Sequence, residues 1–252
     1  MNKKNYEKKH IVSSYAHSQL QKPELIIFEK YQEHIRGKCL LDIGCGAGRT
    51  TSYLYNLSKN YRGVDYSLEM IEASRVRFKG VCFIQGDVRS LNMIEDGLCD
   101  FVLFSYNGLD SVSHEGRLMG LREIHRVLCR NGMFVFSAHN RNHREASSQP
   151  RVTFTLNVPT MISNITKFLL STYNHTRNKK NQQFEEEYCI LNDRAHNYAM
   201  LTYYIDKKSQ ISQLMKIGFE VIEMFDTFGN VLGQGSDDGD SAWIYYVARK
   251  RG

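Results

Sequence analysis

The sequence LDIGCGAGR at residues 41–49 combines the end of a short apolar run with three closely spaced glycines. The run at residues 39–43 is too short for a helix and fits a buried strand. Glycines at positions 44, 46 and 48 permit a tight turn, and a following helix offers free backbone N–H groups to a ligand. The third glycine comes one residue earlier than in the dinucleotide pattern G-x-G-x-x-G. The stretch therefore predicts a strand–turn–helix ligand site, and its spacing argues against a nicotinamide or flavin enzyme.

Strand-like and helix-like segments alternate on both sides of this turn, without hairpins until the end of the chain. Alternating βα units predict an α/β fold, a doubly wound, Rossmann-like sheet of seven strands. Two late strands joined by a loop make the last strand antiparallel in an otherwise mostly parallel sheet. The predicted strands cover residues 39–43, 61–65, 81–85, 100–105, 132–139, 219–225 and 242–248. The predicted helices cover residues 18–36, 49–58, 67–77, 115–128, 160–173 and 208–217.

The pattern divides the chain into four parts. Residues 1–36 form an N-terminal helical segment, and residues 37–140 form the ligand-binding core. Residues 141–200 are polar and amide-rich, with no clear strand, and form an inserted lid of the kind that covers a site. Residues 201–252 complete the core sheet. We expect the lid to pack only partly in the free protein and to close over bound ligands.

Composition limits the partners and the location. The 252 residues carry 33 Lys and Arg against 27 Asp and Glu, a difference of +6, which is weak for a nucleic-acid binder. No apolar run is long enough to span a bilayer, so we expect no membrane partner. The six cysteines include no C-x-x-C pair, and most lie in apolar segments. We interpret them as reduced core thiols of a cytoplasmic protein without a metal site.

The turn at Asp42 to Gly48 reads D-x-G-C-G-x-G and resembles the first motif of the seven-stranded, class I S-adenosylmethionine-dependent methyltransferases. The resemblance covers residues 37–140 and 208–248. It implies S-adenosylmethionine as cofactor, bound through Gly44, Gly46 and Gly48. The second motif matches Asp65, whose carboxylate would accept hydrogen bonds from both ribose hydroxyls. Tyr66 and Met70 follow at positions that the family packs against adenine.

Two further motifs follow in the family's order. In the third, Asp87 would accept the adenine amino group, with the Val88 backbone beside it. In the fourth, Ser105, Tyr106 and Asn107 would follow strand four and face the reaction centre. The turn into strand five has Arg-Asn-Gly-Met where the family usually has Pro-Gly-Gly, which affects only the geometry of that turn.

The resemblance favours the small-molecule branch of the family. Residues 105–108 carry no proline-rich motif of the DNA and RNA amino-methylating relatives, and no cysteine has the context of a cytosine C5 nucleophile. Tyr188 and Tyr203, among several lid aromatics, would either contact the substrate or bury the lid on the sheet. His139 and Asn140, at the carboxyl end of strand five, are the candidate catalytic residues.

The predicted reaction is in-line methyl transfer from S-adenosylmethionine to an amine or oxygen nucleophile of a small molecule. His139 would act as general base only if the nucleophile arrives protonated. Two alternatives remain open at this stage. The protein could use the sulfonium for other chemistry, such as intramolecular cyclisation, or its basic head, lid and tail could serve RNA methylation.

Overall fold

The structure, a computed structural model, describes residues 19–252, except for the side chains of Ala195 and His196. The start of the predicted N-terminal helix, at Ser18, lies outside the described residues, as does the rest of segment 1–18. Within the described part, helix α1 spans Lys22–Lys30 and is followed by a 3₁₀ turn at Gln32–His34. Pro23 lies in the first turn of α1, where its missing N–H costs no hydrogen bond.

Seven described strands form the core sheet, in the spatial order β3-β2-β1-β4-β5-β10-β9. β10 runs antiparallel to both its neighbours, β5 and β9, and the other pairs in the core are parallel. This arrangement confirms the predicted seven-stranded, mostly parallel sheet with an antiparallel last strand. The core strands are β1 Leu40–Ile43, β2 Tyr61–Asp65, β3 Cys82–Gln85, β4 Cys99–Phe104, β5 Leu128–Asn140, β9 Phe219–Phe225 and β10 Trp243–Lys250.

Helices cover both faces of this sheet, because successive strand residues point to opposite sides. Along β5, Met133 and Val135 pack into the hydrophobic cluster beneath helices α1, α2 and α3. Phe134 and Phe136 pack into the cluster beneath α4 and α6. The remaining helices of the core are α2 Thr51–Leu57, α3 Leu68–Arg77, α4 His114–Val127 and α6 Lys207–Ile217.

The inserted segment has more regular structure than its polar sequence predicts. Helix α5 spans Val158–Lys179, longer than the predicted 160–173, and the prediction that the segment has no strand is wrong. Strands β6 (Gln183–Phe184) and β7 (Tyr188–Leu191) pair antiparallel, and β7 pairs with β8 (Thr202–Ile205). Tyrosine and β-branched residues in these short runs supply the strand preference that the surrounding amides and charges obscure.

The three added strands join the core sheet at the carboxyl end of β5. His139 pairs with Trp243 of β10 on one side and with Tyr204 of β8 on the other. β4 and β8 pair with the same edge of β5, the edge opposite β10. β4 pairs with β5 as far as Phe136, and β8 pairs with the residues that follow, so β8 lies beyond the carboxyl end of β4. The inserted segment is thereby fixed next to the edge at which parallel sheets bind their ligands.

The six cysteines differ in their exposure to solvent. All six cysteines are free thiols, and four are buried, whereas Cys82 is exposed and Cys129 is partly exposed. The interpretation of the cysteines as core thiols is therefore wrong for Cys82. No helix in residues 19–252 is long and apolar enough to cross a membrane.

Candidate active site

A cavity of about 580 Å³ opens at the carboxyl ends of β1, β2 and β4. Its volume lies within the usual range of small-molecule sites. The wall consists of the turn after β1, the end of β2, the loops after β3 and β4, and residues 111–113 before α4. Nine residues that the sequence predicts as cofactor ligands line it, namely Gly44, Gly46, Asp65, Tyr66, Met70, Asp87, Val88, Ser105 and Tyr106.

The glycine turn brings bare backbone to the cavity. Gly44 has φ +64°, and a Cβ there would lie 2.7 Å from the Phe104 ring, so a larger residue would not fit. Gly48 also has a positive φ, +83°, but it does not line the cavity, and a Cβ there would collide with the Phe78 ring. We therefore assign Gly48 to the packing of the turn and no longer to cofactor contact.

Asp65 ends β2 with its carboxylate held by the backbone. Its Oδ2 accepts a hydrogen bond from the Gly46 N–H at 2.9 Å, and its Oδ1 accepts one from the Ser67 N–H at 2.9 Å. Burial raises the pKa of Asp65, and these backbone donors oppose the rise. Ser67, the first residue of the predicted helix 67–77, caps α3 by accepting from the Met70 N–H. The result is a rigid, oriented carboxylate on the cavity wall.

Asp87 lies at the opposite wall beside Arg89. Its Oδ2 forms an ion pair with Arg89 Nη2 at 2.6 Å, and its Oδ1 accepts from the Arg89 backbone N–H at 2.9 Å. The Asp87 side chain is 39% exposed. Val88 is 7% exposed. Both residues line the cavity, and their roles toward adenine remain predictions.

The floor of the cavity carries a second buried acid. Asp42 accepts hydrogen bonds through Oδ2 from the Thr50 hydroxyl at 2.5 Å and from the Tyr61 hydroxyl at 2.8 Å. Burial raises the pKa of Asp42 to about 6, against the lowering effect of these two donors. The first acidic residue of the motif thus fixes the turn to the core.

An ion pair with the N-terminal helix, which the motifs do not indicate, holds the cavity-lining Arg49 from behind. Glu24 is fully buried and pairs with both guanidinium nitrogens of Arg49, at 2.5 and 2.6 Å. The Ser105 hydroxyl donates to the same carboxylate. Glu24 also accepts from the Gln21 N–H at 2.7 Å, and the spacing Gln-x-x-Glu before an apolar run could have drawn attention to it.

The loop after β4 has unusual backbone geometry. Tyr106 and Asn107 have φ +58° and +57°, so two successive non-glycine residues adopt the left-handed conformation. Such residues cost free energy and concentrate at functional sites. The Arg49 guanidinium lies 4.9 Å from the centroid of the Tyr106 ring. This strain places Asn107 next to β5.

His139 is oriented by a buried acid that the sequence analysis does not identify. Its Nδ1 lies 2.8 Å from Asp110 Oδ2, and its backbone N–H donates to the same oxygen at 2.7 Å. Arg117, fully buried, pairs with Asp110 Oδ1 at 2.5 Å. Arg117 lies four residues before Leu121 and therefore on the apolar, buried side of α4. A charged residue at such a position needs a buried partner of opposite charge, so the sequence pattern could have indicated the ion pair.

The other ring nitrogen of His139 points toward Asn107. Because Asp110 accepts at Nδ1, we assign the proton to Nδ1 and leave Nε2 as an acceptor. Asn107 Nδ2 lies 3.4 Å from Nε2, and Asn107 Oδ1 is buried with no hydrogen-bond partner in residues 19–252. Neither residue lines the cavity, but Tyr106 and Gly108 on either side of Asn107 do. A basic nitrogen and an unpaired carbonyl oxygen therefore lie together beside the cavity rim.

Asn140 is placed differently from its neighbour. It is fully buried, and its Nδ2 donates to the backbone carbonyls of Asp238 and Ser241, at 2.8 and 3.1 Å. Its Oδ1 accepts from the Asn142 N–H at 3.0 Å. These bonds tie the glycine- and aspartate-rich loop to the end of β5, so the structure contradicts a catalytic role for Asn140.

The two tyrosines predicted to bind substrate belong to an aromatic stack. Tyr188 contacts the rings of both His114 and Tyr203, with centroids 4.2 and 4.9 Å away, and the His114 and Tyr203 centroids are 5.9 Å apart. Tyr203 is 1% exposed, and its hydroxyl lies 2.9 Å from His114 Nδ1. Neither tyrosine lines the cavity. The structure therefore favours burial of the insert on the sheet over substrate contact, and for Tyr203 the buried environment contradicts the predicted role.

The fold and the cavity define a class of protein: an α/β protein with a small-molecule cavity at the carboxyl edge of its sheet, where parallel sheets bind their ligands. Residues 41–136 match the methyltransferase domain family. The chain therefore carries a methyltransferase domain of the class I, S-adenosylmethionine-dependent type, and S-adenosylmethionine is the cofactor of such domains. No curated protein sequence matches the chain.

Solved structures with the same fold have little sequence in common with this chain. An S-adenosylmethionine-dependent methyltransferase from Clostridium acetobutylicum has a TM-score of 0.64 at 15% identity, covering 99% of this chain and 98% of its own. The 1,6-didemethyltoxoflavin-N1-methyltransferase of Burkholderia thailandensis, with bound 1,6-didemethyltoxoflavin and S-adenosylhomocysteine, has a TM-score of 0.57 at 14% identity, covering 92% and 78%. A possible histamine N-methyltransferase from Thermotoga maritima has a TM-score of 0.55 at 17% identity, covering 99% and 95%.

Proposed function

We propose that the protein methylates an amine or oxygen nucleophile of a small molecule. The observation that carries this proposal is the His139–Asp110 pair with Asn107 beside it, at the carboxyl ends of β4 and β5. The Nε2 of an imidazole whose Nδ1 carries the proton can accept a second proton, and a side-chain amide can orient a polar acceptor. Methyl transfer to a nitrogen or oxygen that still carries its proton requires groups of these two kinds.

The cavity residues fit the cofactor. The Gly44–Gly46 backbone, the carboxylate of Asp65 and the side chain of Asp87 would hold it, with Met70 on the wall between them. The volume of about 580 Å³ accommodates a nucleoside with an amino-acid tail. When bound, S-adenosylmethionine supplies an electrophilic methyl group on its sulfonium.

The protein residues divide the remaining tasks. His139 Nε2 would accept the proton of the nucleophile, and Asp110 acts as a positioning residue that fixes the tautomer and ring orientation. Asn107 Oδ1, buried without a partner in the described chain, would accept a hydrogen bond from the acceptor. Holding both reactants in line and excluding water supplies much of the rate enhancement in such transfers.

Two observations support a small acceptor, and a third bears on the location of the protein. Residues 105–108 lack the proline-containing motif of nucleic-acid amino methylation, which favours a small molecule over a nucleic acid as acceptor. Two proteins of the same fold, the Burkholderia thailandensis 1,6-didemethyltoxoflavin-N1-methyltransferase and the possible histamine N-methyltransferase of Thermotoga maritima, also favour a small acceptor. The six free thiols support a reducing, cytoplasmic location.

The test is to incubate the protein with S-adenosylmethionine carrying a labelled methyl group and a pool of metabolites, and to identify the products by mass. We expect S-adenosylhomocysteine together with one labelled small molecule. Asp65→Ala, at a cofactor concentration below its weakened affinity, serves as the control with little cofactor bound. Methylthioadenosine as the product would show the alternative sulfonium chemistry. Labelled RNA, with binding that weakens steeply as salt rises, would show the nucleic-acid alternative.

A further inference from the structure

Helix α5 of the inserted segment turns an apolar face to solvent. Val158, Ile162, Ile165, Leu169 and Tyr173 recur at intervals of three and four residues, which places them on one side of the helix. Their exposed fractions lie between 41% and 67%. In the preceding loop, Phe154 is 81% exposed and Leu156 is fully exposed. Monomeric proteins rarely expose a contiguous apolar patch of this extent without a partner.

The side of α5 that contacts the protein is polar. Asn174 Nδ2 donates to the Asn197 carbonyl at 2.9 Å, and Asn178 Nδ2 donates to the Tyr198 carbonyl at 3.1 Å. Asn192 Nδ2 donates to the carbonyl of His175 at 3.1 Å. Within α5, Ser171 is the buried residue. The helix is therefore fixed by amides on its inner side, so that its aliphatic side chains project away from the protein.

The surroundings of the apolar face carry positive charge. No Asp or Glu occurs in residues 146–184. Arg177 and Lys179 flank the apolar face near the end of α5, Lys180 follows them, and Lys167 lies on the other side of the helix. All four are exposed, and none forms an ion pair with a carboxylate in residues 19–252. An outward apolar stripe with Lys and Arg around it is the pattern of a helix that lies in a membrane interface.

We propose that α5 binds the surface of an anionic lipid bilayer, with its apolar face in the boundary between headgroups and acyl chains. The basic residues would then lie at the level of the anionic headgroups. The sequence predicts no membrane partner because it contains no apolar run long enough to span a bilayer. A helix that lies in the plane of the membrane interface does not require such a run. This binding is independent of which small molecule the enzyme methylates.

Charge and side-chain type favour lipid over other partners. If α5 paired with α5 of a second copy, the cations of both helices would face a segment without any carboxylate. Aliphatic side chains such as Ile165 and Leu169 neither stack on bases nor neutralise phosphates, so RNA would leave the apolar face uncovered. An anionic bilayer satisfies the cations and the apolar face together.

The test uses the full chain and sedimentation with vesicles of phosphatidylcholine alone or mixed equally with phosphatidylglycerol. We expect binding to the mixed vesicles, weakening as salt rises, and little binding to phosphatidylcholine. Leu169→Glu places a charge in the apolar face and should lower the partition coefficient by about fiftyfold or more. Ser163→Glu adds the same charge at an exposed position of α5 outside the apolar face and should lower it only about fivefold.

Both substituted residues are exposed, so circular dichroism and unfolding midpoints should match those of the unsubstituted protein. Equal weakening by the two variants would overturn the proposal, because adsorption would then be electrostatic only. Absence of binding to the mixed vesicles would also overturn it. So would a dimer, detected by light scattering without lipid, that Leu169→Glu dissociates, since a second copy would then cover the face.

Discussion

The walls of the cofactor cavity come from short loops at strand ends, whereas the inserted segment 141–200 forms its own strands and a projecting helix. In the cavity, residues close in sequence act together, as in the turn from Gly44 to Gly48. In the insert, the partners are distant, as with Tyr188 and His114. A backbone-defined site can be recognised from local sequence, and a site defined by long-range side-chain packing cannot.

His139 joins the two regions, and its substitution should have the largest effect. Removing the Nε2 acceptor in His139→Gln should lower kcat about a hundredfold to ten-thousandfold, with cofactor affinity unchanged. Steady-state kinetics at saturating cofactor, with calorimetry of cofactor binding, would measure both quantities. His34→Gln, at an exposed histidine far along the chain, is the control. Full turnover in His139→Gln would show that the nucleophile arrives deprotonated and needs no base.

Tyr203 tests whether the aromatics of the insert are structural. Tyr203→Ala removes a ring that is 1% exposed and should lower the free energy of unfolding by about 3–5 kcal/mol. Tyr203→Phe keeps the ring and loses only the hydroxyl next to His114, so about 1 kcal/mol is expected. Denaturant unfolding measures both. A stable Tyr203→Ala protein with reduced turnover would instead restore the predicted contact with substrate.

Substitution of Asp65 tests whether the cavity binds the cofactor through this carboxylate. Asp65→Ala removes an oriented carboxylate and should weaken cofactor binding by roughly 2 to 4 kcal/mol, measured by calorimetry. Glu72→Ala removes an exposed carboxylate from the adjoining helix α3 and should leave affinity unchanged. Unchanged affinity in Asp65→Ala would show that the second motif is misplaced on this chain.

The smallest expected effect concerns Asp42, at the floor of the cavity. The pKa of Asp42 is about 6 in the folded protein, above its ordinary value of 3.8. As the pH rises, the unfolded chain therefore loses this proton at a lower pH than the folded protein does. The stability that Asp42 contributes is therefore present below pH 4 and is lost as the pH rises to about 6. Relative to Asp42→Asn, the free energy of unfolding should fall by about 2 kcal/mol between pH 4 and pH 7. A constant difference would contradict the raised pKa.

Much of the core could be predicted because its information is local. Strand β9 matches its predicted range, and the Ser67 cap marks the start of α3 as the sequence indicates. Nine of the predicted cofactor residues line one cavity because glycine and acidic residues at strand ends meet at one edge of a parallel sheet.

The remainder depends on contacts between distant residues. Asp110 and Arg117 become a buried pair only when α4 packs on the sheet, and the same packing orients His139. His139 and Asn140 are adjacent in sequence, but alternation along β5 turns one toward Asn107 and the other into the loop at Asp238. The strands of the insert cannot be predicted from its sequence because their β-forming runs are short and lie among amide and charged residues.

The ion pair between Glu24 and Arg49 has a consequence for dividing the chain into fragments. A fragment that began at residue 37, the predicted boundary of the core, would keep Arg49 and lose its buried carboxylate. Removing one partner of a buried pair costs about 3–5 kcal/mol, a large share of the stability of an ordinary domain. The first described helix is therefore an integral part of the smallest autonomous folding unit, and any dissection or domain exchange should retain Gln21 and Glu24 together with the glycine turn.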